Sequence, residues 1–160
     1  RMYSAIDQII LKISGLKKIV VHADSGETSL LFLNISLACD YRIVANNIVY
    51  KNPNIDLGLI PKGGGVYFLS KMLGSVEASR ILLSGKDISA IEAMKLGIVD
   101  KVVPLEQLKK SAMEAAQDYA KKPFSYVIGI KELLHYNINE LKGFLDFENK
   151  ELYKLIHCIN

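Results

Sequence analysis

Cysteine is scarce in this chain. Only Cys39 and Cys158 occur, far apart, with no CxxC pair and no other metal-ligand spacing. That excludes a disulfide framework and a cysteine-based metal centre, and makes reduced thiols in a cytoplasmic protein the expectation. No apolar run reaches the roughly 20 residues that span a bilayer, and no signal-peptide pattern opens the chain. The first residue is Arg1 rather than Met, which reads as a processed or trimmed start. Charge of one sign is not concentrated either: the net charge is +3, and the dense basic pairs are Lys17-Lys18, Lys109-Lys110 and Lys121-Lys122. Such pairs suit solvated helix ends and do not make a nucleic-acid-binding stripe, although a mildly basic surface favours anionic ligands. Repeats of solenoid period, linkers and low-complexity segments are absent. His135 and His157 have no acid or serine spaced to make a catalytic triad, and His22 lies inside an apolar run where a satisfied core histidine is expected.

What remains is apolar: half of the 160 residues are hydrophobic and 23% are charged, which describes one globular domain. Ile6, Ile9, Ile10, Ile13 and Leu16 fall at helical spacing, so Ser4 to Leu16 is predicted as a helix. Ile19-Val20-Val21 is β-branched throughout and predicts a buried strand from Lys18 to Ala23. Asp24 to Ser29 reads as a polar loop, with Ser29 placed to cap a central helix over Leu30 to Ala38. Strands follow at Arg42 to Ala45 and Ile48 to Tyr50. Helices follow at Val66 to Leu73 and Val76 to Ser84, each closed by a glycine. Ser89 and Glu92 have capping-box spacing ahead of a helix that stops at Gly97. A strand over Val99 to Val103 precedes three helices: Leu105 to Ala120, one opening at Pro123, and one from about Asn137 to Ile156. This order argues an α/β core over 1–104 and a helical region over 105–160 that packs on the core or on a partner subunit.

The stretch Asn54-Ile55-Asp56-Leu57-Gly58-Leu59-Ile60-Pro61-Lys62-Gly63-Gly64-Gly65 carries the most chemistry. Glycines at a helix start let a backbone approach a ligand closely and leave free N–H groups where negative charge is welcome. A plain structural turn is the alternative. If the segment alternates as a strand does, Asp56 shares a face with Asn54 and points into the pocket. Otherwise it is a solvated aspartate.

Four motifs in order resemble the crotonase family, the enoyl-CoA hydratase/isomerase superfamily. They are Ser36-Leu37-Ala38-Cys39-Asp40-Tyr41-Arg42-Ile43, then Leu57-Gly58-Leu59-Ile60-Pro61 with Gly64-Gly65, then Leu82 to Ala90, then Ala93 to Pro104. The resemblance covers nearly the whole chain but only the family's central and C-terminal parts. It implies a spiral of ββα turns with a C-terminal helical region, assembled as a trimer or hexamer. The implied ligand is an acyl-CoA thioester, with coenzyme A as part of the substrate and no separate cofactor or metal. It also implies an oxyanion site of backbone N–H groups, one falling on Leu31. The other belongs to a part of the family that lies ahead of these residues.

The family's two hydratase glutamates fall on Asn34 and Asn54. An amide does not take up a proton at neutral pH, so hydration by the two-glutamate route is not expected. The family's glycine-rich oxyanion turn is replaced by Leu30-Leu31-Phe32, which would fill the space of a thioester. Candidate ligand contacts are Leu30, Ile60, Pro61, Lys62, Gly63 and Gly64, with Lys62 either meeting a carboxylate or phosphate or standing in solvent. Lys131 resembles a family lysine near the CoA nucleotide. Tyr50 and Tyr67 line either an acyl pocket or the core. Two functions stay open: a divergent acyl-CoA enzyme, and a non-catalytic subunit that keeps the scaffold for assembly.

Overall fold

The computed structural model describes residues 2–158, and the side chains of Met2, Tyr3, His157 and Cys158 lie outside the described part. Helix α1, Met2–Gly15, leads through a short turn to strand β1, Val21–Asp24. Strand β2, Glu27–Ser29, and helix α2, Leu30–Ser36, follow at once. Then come β3, Tyr41–Ala45, and β4, Val49–Lys51. Helices α3, Gly65–Leu73, and α4, Ser75–Ser84, complete the middle of the chain. The later elements are β5, Ile88–Ser89, α5, Ala90–Lys95, β6, Lys101–Val103, α6, Leu108–Ala120, α7, Phe124–Leu134, and α8, Ile138–Cys158.

Two small sheets organise the core. In one, β3 is central and pairs parallel with β1 and β6. In the other, β4 is central, parallel to β2 and antiparallel to β5. A parallel ladder needs a crossover, and α2 supplies it between β1 and β3 and between β2 and β4. Residues 43–45 of β3 are buried on both faces, which is why they read as a continuous apolar run. Ile10, Leu33, Val44, Tyr50, Leu69, Ala93 and Ile98 share the centre at full burial. The helical region closes on this core, α6 against β1 and β3 and α8 against α1. Among the described residues no helix is long and apolar enough to cross a membrane.

Several local expectations need correction. Residues 27–29 are a strand, because Glu27, Thr28 and Ser29 find partners in the distant Val49, Tyr50 and Lys51. Ser29 precedes α2 without a side-chain capping bond, and α2 stops at Ser36 rather than Ala38. Phe32 is 53% exposed, so one face of this central helix reaches solvent. The capping box at Ser89 and Glu92 forms as the spacing predicts. Residues 105–107 are a 3-10 turn ahead of α6.

Candidate active site

The glycine turn packs directly on α2. Gly63 and Gly64 hold φ of +99° and +71°, a backbone region that side chains disfavour. A Cβ on Gly63 would sit 3.1 Å from Leu31 Cδ1, and one on Gly65 would collide with the amide of Asn34. Asn34 is fully buried beneath the turn. Its Nδ2 donates to the Lys62 carbonyl at 2.9 Å, while its Oδ1 has no partner. The glycines are thus required by the close approach of α2 as much as by the turn itself.

The N–H groups at the start of α3 are not open. Gly63 N and Gly64 N each donate to the Glu148 carboxylate of α8 at 3.0 Å. A negative group there also faces the positive end of the α3 dipole. Lys62 turns inward rather than to solvent, and its ammonium bonds Glu148 at 2.9 Å and also Asp7 of α1. Asn149 donates to the other Asp7 oxygen at 2.7 Å. One ammonium and two carboxylates therefore bind α1, the glycine turn and α8 together. Their side chains are only 8%, 12% and 3% exposed for Lys62, Asp7 and Glu148.

Residues 54–60 are not a strand. Leu57 N, Gly58 N and Leu59 N bond back to Pro53, Ile55 and Asn54 carbonyls, giving successive turns. The alternation that would aim Asp56 inward does not apply, and Asp56 is exposed. Asn54 is half-buried and donates to Asn52 Oδ1 at 3.4 Å. Beside it, the Asn52 N–H and Lys51 hold the Asp87 carboxyl below the usual carboxylate range.

Comparison with known proteins gives the frame for these positions. The family model of enoyl-CoA hydratase/isomerase matches residues 2–158. The chain belongs to the enoyl-CoA hydratase/isomerase family. It is 32% identical over 124 residues to a carnitinyl-CoA dehydratase of Salmonella typhi, covering 78% of this chain and 48% of that protein. The crystal structure of enoyl-CoA hydratase from Bacillus halodurans superposes with a TM-score of 0.88 at 25% identity, over 96% of this chain and 62% of that one. The enoyl-CoA hydratase from Thermoplasma volcanium superposes at 0.76 with 26% identity, over 98% of this chain and 62% of that one. The crotonase fold is thereby shown. The chain spans less than half the length of the curated relatives it matches.

Within this crotonase-fold chain, the motifs that carried the resemblance serve the scaffold. Asp40 accepts from Val20 N at 2.8 Å and from Lys131 Nζ at 2.7 Å. Arg42 donates to the Cys39 carbonyl at 2.7 Å and pairs with Asp100 at 3.1 Å. Lys131 is not available to a nucleotide: it is 4% exposed and also donates to the carbonyls of Ile13 and Lys18. Those three bonds use every proton of its ammonium. Leu30 is a core residue at 2% exposure rather than a pocket wall. Lys62, Gly63 and Gly64 are taken by internal carboxylates, whereas Ile60 and Pro61 remain half-buried. Tyr50 is core, its phenol pushed up by burial and its hydroxyl unpartnered. His22 is not satisfied: its Nε2 has no hydrogen bond, with Asp24 at 3.7 Å.

Asp7, Glu148 and Asn149 escaped the reading of the sequence. The signal lies in periodicity. Leu141, Leu145, Glu148 and Leu152 form one buried stripe of α8, and Asp7, Ile10 and Ser14 form one on α1. A carboxylate on an apolar stripe requires a buried partner.

Proposed function

We propose that the full-length protein binds an acyl-CoA thioester but does not hydrate it by the two-glutamate route. The observation that carries this is Asn34. It stands at a family glutamate position, sealed beneath Gly65, with its amide donating to the Lys62 carbonyl. An amide so held neither activates water nor accepts a proton. The relatives, an enoyl-CoA hydratase and a carnitinyl-CoA dehydratase, support the thioester as the ligand class. In this reading the Leu31 N–H in the first turn of α2 donates to the thioester oxygen as enolate charge develops. Ile60 and Pro61 border the acyl group. Chemistry that rests on enolate stabilisation, such as isomerisation, is then the activity class.

A second reading is favoured by the packing of Leu31 against Gly63 and by the Glu148 carboxylate on the turn. Here the fold serves as a non-catalytic subunit of a trimer or hexamer. One experiment separates the two. Calorimetry with acetyl-CoA and crotonyl-CoA measures binding, and loss of enoyl absorbance measures hydration. Both are run on the full-length protein and on Asn34→Glu/Asn54→Glu. Binding without hydration in either form supports the first reading. Absence of binding at millimolar ligand, with a stable oligomer by light scattering, leaves the second. Hydration by the unaltered protein refutes both.

A further inference from the structure

A separate cavity of about 530 Å³ opens beyond the C-terminal end of α2. None of its lining residues belongs to the glycine turn. Its size falls in the range of small-molecule sites, roughly 300–1,000 Å³. Phe68 and Met72 of α3 form one wall, and Val127, Ile130 and Leu134 of α7 form the other. Met72, Ile130 and Leu134 are 39%, 44% and 75% exposed, an apolar surface left partly open among the described residues.

The charged groups of the lining are mostly cationic. Arg42 and Lys131 are neutralised by Asp100 and Asp40, and Asp40 is the one carboxylate of the lining. Lys71 lies 3.3 Å from the exposed Glu140. Lys122 has no carboxylate partner among the described residues, and its ammonium stands 4.7 Å above the Tyr119 ring. An apolar trough with an unpaired ammonium at its edge complements one kind of molecule, an apolar body with a single negative end.

We propose that this cavity binds an aliphatic carboxylate, its chain between α3 and α7 and its charged end at Lys122. Beside the rings of Phe68 and Tyr126, the walls carry the aliphatic and thioether side chains of Met72, Val127, Ile130 and Leu134, which adapt to a flexible chain. The site is independent of the thioester reading, so each can fail alone.

The test is calorimetry of the full-length protein with decanoate, below its micelle concentration, and with decyltrimethylammonium, which has the same chain and the opposite charge. The expected result is saturable decanoate binding at one per chain, about tenfold tighter than the cation. Lys122→Glu should reverse that preference. Ile130→Trp should abolish decanoate binding while leaving the melting temperature and acetyl-CoA binding unchanged. Equal affinity for both amphiphiles, indifferent to Lys122→Glu, overturns the proposal and leaves a plain apolar patch. Absence of decanoate binding, with self-association that Leu134→Asp abolishes, overturns it in favour of an interface between copies.

Discussion

Replacing Lys62 by methionine tests the buried ionic cluster directly. The substitution keeps most of the volume and removes the positive charge that stands between two carboxylates. Glu148 would keep its two backbone donors and Asp7 its bond from Asn149, but both charges would lie buried without a counter-ion. Removing one partner of a buried pair costs about 3–5 kcal/mol. Glu148→Gln should cost less. Lys62 then faces Asp7 alone as a balanced pair, and the loss is that of charge-assisted bonds to the turn, about 1.5–3 kcal/mol. In Lys62→Met/Glu148→Gln only Asp7 stays uncompensated, so the double variant should be more stable than the sum of the two losses implies, by about 0.5–3 kcal/mol. Domains of this kind hold only about 5–15 kcal/mol in total, so the first variant should lie near the edge of folding. Urea unfolding at unchanged m-value reads all three. A loss under about 1 kcal/mol for Lys62→Met, or a larger loss for Glu148→Gln, refutes the account of the cluster.

Further outcomes follow from single contacts. Gly65→Ala should destabilise by at least about 1–3 kcal/mol, because the new methyl group overlaps the Asn34 amide, and Asn34→Ala in the same chain should recover part of that loss in thermal melts. Ser89→Ala removes the capping box of α5 and should cost about 1 kcal/mol in the same assay, and no change would contradict the capping role. Burial pushes the Cys39 thiol up to about 11, so in a Cys158→Ser chain it should react with a disulfide reagent at pH 8 far more slowly than in the urea-unfolded chain. Burial lowers the pKa of His135 below its ordinary value, so the unfolded chain binds that proton more readily. The contribution of His135 is present above the unfolded value near 6.5 and is lost as the pH falls through the folded one. Unfolding free energies from pH 7.5 to 5 should slope less steeply in His135→Gln, and parallel slopes would refute this.

Much of the fold was legible because its elements carry local marks. The helical stripe of α1, the β-branched start of β1 and the Ser89–Glu92 cap act within a few residues of themselves. The three residues of β2 carry no such mark, since their order comes from pairing with β4 some twenty residues on. At the glycine turn the sequence shows the donors, and the structure keeps Asn34 beneath the turn. It does not show who takes the donors. Glu148 stands 85 residues beyond Gly63, and its only mark is an acid on an apolar stripe. Lys131 misled for the same reason. A lysine whose partners are Asp40 and two carbonyls from the first helix and the turn after it looks, in a list of residues, like one waiting for a phosphate.

That long reach has a consequence for synthesis. The Ile13 carbonyl near the end of α1 is bonded by an ammonium 118 residues later in the chain, and Asp7 meets its asparagine donor 142 residues later. When α1 leaves the ribosome, neither group has been translated. These two contacts stay open until nearly all of this length has emerged, so Lys62 alone among the charged partners holds α1 until α7 and α8 arrive.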